Sequence, residues 1–164
     1  MMKTAIVTGA SGNMGQAVVK KFLKEGVEDY LKRVTFYLPF ESKIIPDIRN
    51  NRNLTRDQQK ERVGKAILDS VAPGDELFLL DEKGKELSSS QFAQWIEKRM
   101  ISGSRQIVFV IGGPYGFSPE VYARSNGLLS LSKMTFPHQL VRLIFAEQLY
   151  RALTIIKGEP YHHE

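Results

Sequence analysis

The chain has 164 residues, 42% hydrophobic and 25% charged, and no cysteine. That length suits one domain around one buried core, and the missing thiols exclude disulfides and thiolate zinc sites and fit a reducing compartment. Twenty-three Lys and Arg against 18 Asp and Glu leave a formal net charge of +5, which attracts phosphate backbones but is also common in proteins that touch no nucleic acid. No apolar run approaches the roughly 18 residues of a membrane span, and the N-terminus lacks the marks of a secretory signal, so a cytoplasmic protein is expected.

Lys3–Gly9, KTAIVTG, is a short β-branched run closed by a turn signal and predicts a strand. A helix is expected next, with Met14, Val18, Val19, Phe22 and Leu23 on its apolar face and Lys20, Lys21 and Lys24 on the other. Gly26 ends or interrupts it before a second helical piece, VEDYLKR. FESKIIPD suits a strand, limited by Pro39 before it and Pro46 near its end. Asp47–Arg62 is polar and predicts a mobile loop at its start. Thr55 then opens a helix through the box Thr55-x-x-Gln58, with Val63, Ala66, Ile67 and Val71 on its apolar face up to the APGDE turn.

Leu77–Leu80 reads as a buried strand followed by a polar turn at Asp81–Gly84. The serines 88–90 begin a helix that places Phe92, Trp95, Ile96 and Met100 at helical spacing. Ile107–Ile111 is uninterrupted β-branched and aromatic, so this strand is expected to be covered on both faces. It breaks at Gly112-Gly113-Pro114. Ser118 caps a short helix with Pro119 at its first position, and Ser125–Gly127 ends it. LLSLSKMTF supplies one more strand and a loop, and a long helix runs from about Pro137 to Lys157. That helix is apolar nearly all round, through Leu140, Leu143, Ile144, Phe145, Leu149, Leu153 and Ile156, which suits a subunit interface. Strands alternating with helices predict a single α/β domain over residues 1–164 with a mainly parallel sheet, whose ligands sit beyond the carboxyl ends of the strands.

Two glycine loops compete for such a ligand. Thr8-Gly9-x-x-Gly12-x-x-Gly15 resembles the N-terminal fingerprint of short-chain dehydrogenases, where glycines let the backbone approach a pyrophosphate. The Tyr-x-x-x-Lys pair of that family is missing, and no acidic residue stands convincingly where a ribose would need one, although Asp29 and Glu41 are nearby. The second loop is VIGGPYGFSPE. Together with LSLSKMTFPHQLVR, EQLYRA and PYHHE it closely resembles the RlmH family of SPOUT methyltransferases, over residues from about Val27 to the end.

That resemblance implies a C-terminal trefoil knot, a homodimer, and methylation of N3 of a pseudouridine in large-subunit ribosomal RNA, on the RNA or the ribosome, with S-adenosylmethionine as donor. Motif matching places the cofactor on Leu80, Gly112, Gly113 and the loop Leu131, Ser132, Lys133, Met134, Thr135 and Phe136. Glycines would let backbone amides reach the amino-acid part of the cofactor, and the apolar loop residues would offer a slot for adenine.

The polar residues of the family-like motifs that could serve the chemistry are His138, Arg142, Tyr150, Arg151, Tyr161 and His162. The acceptor imide must lose a proton, so a base or a cation facing the imide anion is required. His138 and Arg142 are four apart on one helix face, and Glu147 is a structural partner within reach of Arg142 or Arg151. His138 also suits a helix-start packing role, and YHHE a frayed tail. No metal is expected at His162-His163, because adjacent residues diverge and no third ligand is evident.

Residues 1–26 are expected to depart from the family pattern. Two alternatives therefore stand beside the methyltransferase: a nucleotide or NAD(P)-binding protein using the first glycine loop, and a folded scaffold that binds neither ligand.

Overall fold

A computed structural model describes residues 3–9, 17–45, 53–113 and 115–163, with the side chains of 3–9 and 17–19 excepted. The elements alternate in chain order as β1 (Lys3–Gly9), α1 (Ala17–Val34), β2 (Phe40–Ile45), α2 (Arg56–Leu68), β3 (Glu76–Glu86), α3 (Ser89–Ile101), β4 (Gln106–Ile111), α4 (Pro119–Arg124), β5 (Gly127–Ser130) and α5 (His138–Lys157). All strand pairs are parallel, in the order β2-β1-β4-β3-β5.

β4 decides the layering. Hydrogen-bonded to β1 and β3, it sends Ile107, Phe109 and Ile111 into one apolar cluster with α1, α3 and α5, and Val108 and Val110 into the opposite cluster with α2 and α4. Alternating strand residues face opposite sides of a sheet, so the continuous apolar run is what a doubly covered strand requires. Each of these side chains is at most 2% exposed, and full burial of one contributes about 1.5–3 kcal/mol.

Helix starts follow from local chemistry. Thr55 accepts from the Gln58 amide at 3.2 Å and the Gln58 side chain accepts from the Thr55 amide at 2.9 Å, the expected capping box. Ser88 and Gln91 build a second such box. Ser118 takes the cap position of α4 with Pro119 behind it, but its side chain makes no capping bond; it packs under Gly64 of α2 instead.

Two expectations are corrected. Gly26 does not end or break a helix: α1 runs through it, because a Cβ there would come within 2.9 Å of Leu143 Cδ1 and the glycine lets α1 lie close against α5. Phe22, assigned to the apolar face of α1, is 69% exposed. The helix expected to open at Thr55 does so, as α2 from Arg56, while residues 47–52 of the expected loop lie outside the described residues.

Near the carboxyl edge, β3 and β5 share an irregular ladder. Leu129 pairs with Leu80 and again with Lys85, so residues 81–84 leave the ladder and return to the same β5 residue. Gly84 is buried there, and a Cβ on it would lie 2.5 Å from the Leu129 carbonyl carbon and 2.7 Å from that of Leu128. Only glycine permits that approach of two backbones.

Candidate functional site

β3, β4 and β5 deliver the chain to one opening. β4 ends at Ile111 and hands over to Gly112-Gly113, β3 leaves its ladder at Leu80, and β5 ends at Ser130. A cavity of about 500 Å3 lies among them, within the size range of small-molecule sites. Leu80, Gly112, Gly113, Leu131, Ser132, Met134, Thr135 and Phe136 all line it, so the structure brings together residues up to 56 positions apart that motif matching had grouped. Lys133 is placed differently: its Nζ donates to the Glu82 carbonyl at 3.3 Å, outside the lining.

The loop after β5 is shaped by its own serines. Ser130 Oγ donates to the Ser132 carbonyl at 3.0 Å, and Ser132 Oγ accepts from the Met134 amide at 3.0 Å. The two glycines play different parts. A Cβ on Gly112 would strike the Phe117 ring at 2.9 Å, whereas a Cβ on Gly113 would meet no atom within 4 Å. Gly113 therefore edges open cavity, and Gly112 is required by packing. The segment 81–84 is fixed by Asp81, which accepts from Tyr122 Oη at 2.5 Å and from the Lys83 amide at 2.9 Å. Burial, and then the Asp81 bond, push the Tyr122 phenol up to about 12, so it remains a donor at neutral pH.

His138, at the start of α5, lines the same cavity. Burial, reinforced by the positive charge of Arg142, moves its imidazole below the usual histidine value. It is therefore neutral at pH 7 and has a lone pair to accept a proton. Arg142, one helical turn on and half-buried, lines an adjoining groove against α1 and β2. Burial lowers its pKa, yet a guanidinium stays cationic.

The remaining candidates gather elsewhere. Tyr150 is twelve residues beyond His138, about 18 Å along a helix rising 1.5 Å per residue. Arg151 donates to Glu147 from Nε at 2.9 Å and Nη2 at 2.5 Å, and its Nη1 lies 3.2 Å from His162 Nδ1. The structural pairing with Glu147 thus belongs to Arg151. Tyr161 donates to the same carboxylate at 3.2 Å, and its ring packs on Tyr150 with centroids 4.7 Å apart. Tyr30 Oη, from α1, is 3.3 Å from Tyr161 Oη, and Tyr37 donates to Glu159 at 2.5 Å. The C-terminal tail is therefore clasped on α1 and α5 rather than frayed, but away from its own chain's cavity.

Sequence reasoning did not single out several cavity residues: Lys60, Asp81, Tyr115, Phe117, Tyr122 and Val141. Tyr115 sat inside the IGGPYG motif and was legible there. Lys60 carried no local signal, because α2 reaches the cavity only through the fold. Of the first glycine loop, Thr8 and Gly9 end β1, and residues 10–16 lie outside the described residues.

Comparison with known proteins matches residues 13–162 to the family model "Predicted SPOUT methyltransferase". A Parabacteroides distasonis protein named ribosomal RNA large subunit methyltransferase H is 54% identical over 143 residues, covering 87% of this chain and 91% of that one. The protein of the same name from Bacteroides fragilis is 45% identical over 163 residues, 99% of this chain and 100% of its own. That second alignment takes in the N-terminal stretch as well, so the expected departure of residues 1–26 does not set that stretch outside the family, and the likeness to a dehydrogenase there finds no support. Among solved structures, a probable methylase family protein from Haemophilus influenzae shares the fold, with a TM-score of 0.53 at 8% identity over 98% of this chain and 70% of that one. With the family model spanning nearly the whole chain and close relatives agreeing with it, this protein belongs to the SPOUT methyltransferase family.

Proposed function

We propose that this protein transfers a methyl group from S-adenosylmethionine to N3 of a pseudouridine in large-subunit ribosomal RNA, working as a cytoplasmic homodimer on the RNA or the ribosome. The observation that carries the reading is the cavity at the ends of β3, β4 and β5, with Gly113 open to it and His138 on its wall. The residues fit the methyl donor: an amide-bearing edge without side chains at Gly113, and an apolar lining from Leu80, Leu131, Met134 and Phe136. The name shared by the relatives, ribosomal RNA large subunit methyltransferase H, supports the RNA substrate.

When bound, the sulfonium supplies an already activated methyl group for in-line displacement. The chain's task is then to position the acceptor and manage one proton. Neutral His138 accepts the N3 proton of the acceptor imide, and the Arg142 guanidinium, on the same helix face, stabilises the imide anion as it forms. Tyr150, Arg151, Tyr161 and His162, held about 18 Å along α5, serve the cavity of the second subunit. The partly buried apolar residues Leu140, Leu143 and Ile144 of α5 suit the interface that such an exchange needs.

The test is calorimetric titration with S-adenosylmethionine, NAD and NADP in parallel, followed by methylation of ribosomes and mapping of the modified nucleotide by mass spectrometry. Donor binding and a methyl group on pseudouridine N3 are expected. Binding of a dinucleotide alone, or methylation of a different atom, refutes the proposal.

A further inference from the structure

The mouth of the cavity carries an aromatic and basic rim drawn from the β4–α4 turn, the start of α2 and the segment that leaves the β3 ladder. Tyr115 sits in the turn Gly113–Gly116, closed by the Gly116 amide donating to the Gly113 carbonyl at 3.1 Å. Gly116 has φ +74°, a conformation that side-chain-bearing residues rarely adopt, so the turn is built to hold Tyr115 at its tip. Although Tyr115 lines the cavity, it is 42% exposed. The Arg56 guanidinium, from the first turn of α2, lies 5.6 Å from the centroid of its ring. Lys60, one turn further along α2, and Lys83, on the segment that leaves the β3 ladder, line the same opening.

A large exposed ring, a guanidinium against it and two ammonium groups beside it form the chemistry that holds single-stranded nucleic acid. The ring stacks a base, and the cations meet backbone phosphates. Bases in RNA are read and modified when unstacked, and an enzyme acting on a ring nitrogen must receive its base out of the helix. The edge assigned to the donor comes from Leu80, Gly113 and the β5–α5 residues Leu131, Met134 and Phe136, which leaves the exposed ring of Tyr115 and the start of α2 to the acceptor.

We propose that Tyr115, backed by Arg56, is the platform on which an unstacked base of the acceptor RNA stacks at the cavity mouth, with Lys60 and Lys83 against its phosphates. This rests on the reading of the protein as an RNA methyltransferase and names the residues that hold its substrate.

The experiment compares Tyr115→Ala, Tyr115→Phe and Lys60→Ala with the wild type, measuring donor Kd by calorimetry and the KM for ribosomes across a range of salt. Loss of one base stack corresponds to about 5- to 150-fold. Tyr115→Ala should raise the KM at least fivefold with donor Kd within twofold of wild type. Tyr115→Phe, which keeps the ring, should recover most of that loss, and Lys60→Ala should flatten the salt dependence of log KM by about one unit. An unchanged KM in Tyr115→Ala, an equal loss in Tyr115→Phe, or donor binding weakened as much as RNA binding overturns the platform while wild-type methylation stands. A wild type that binds donor but leaves ribosomal RNA unmethylated overturns the functional reading, and the platform with it.

Discussion

Gly112 and Gly113 are adjacent, yet the structure demands opposite outcomes when each is substituted. A Cβ on Gly113 meets nothing within 4 Å, and the backbone there is not in the left-handed region, so Gly113→Val should fold normally. Reducing the freedom of the unfolded chain stabilises such a variant by about 0.4–1 kcal/mol, judged from the alanine case. Its added carbons project into a cavity of about 500 Å3 where the donor must lie against the backbone. An overpacking penalty of about 1–3 kcal/mol then falls on the complex alone, weakening binding by roughly 5- to 150-fold. On Gly112 the same penalty falls on the free protein, because a Cβ would press to 2.9 Å from the ring of Phe117, a side chain only 6% exposed. Gly112→Ala should lower Tm by about 2–4 °C per kcal/mol, hence by several degrees. Calorimetric titration with S-adenosylmethionine and thermal unfolding of both variants separate the two effects. Wild-type affinity in Gly113→Val, or equal loss of Tm in the two variants, would falsify the assignment of Gly113 to the donor site.

Three further outcomes follow from the same geometry. Gly84→Ala places a Cβ 2.5–2.7 Å from the backbone of Leu128 and Leu129, atoms that cannot rotate away, so it should abolish folding or cost well over the ~1–3 kcal/mol of ordinary overpacking; a melting temperature within 2 °C of wild type would contradict the close passage of β5. His138 is held below its ordinary value by burial and by Arg142, so the unfolded state binds its proton first as pH falls. Its contribution to stability is therefore complete above pH 6.5 and declines below that value, and His138→Gln should remove that part of the slope in urea unfolding between pH 7 and 5. Glu147 holds Arg151 and Tyr161, and Glu147→Gln should lower kcat severalfold while donor affinity stays unchanged; a selective loss of donor binding would show that the clasp serves the cofactor instead.

The sequence by itself determined what neighbouring residues decide. Most of the cavity wall was marked by the resemblance of the C-terminal motifs to a known family, whereas the run Ile107–Ile111 announced a strand buried on both faces and Thr55-x-x-Gln58 a helix start on their own. These are properties of spacing and side-chain chemistry within a few residues, and hydrogen-bonded caps or pleated strands need nothing further. Tertiary structure alone decided the rest. Gly26 read as a helix break, because an isolated helix pays for glycine in entropy; here α5 lies against it and Leu143 occupies the space a side chain would take. Lys60 gave no sign of reaching the cavity, since only the β2–α2–β3 connection brings α2 beside the β4–α4 turn. Of the six polar residues that read as one catalytic set, four lie on α5, and a helix converts sequence distance into length. His138 and Arg142 stay one turn apart, while Tyr150 lies about 18 Å further along α5, and only the fold brings Tyr161 and His162 back against Tyr150 and Arg151.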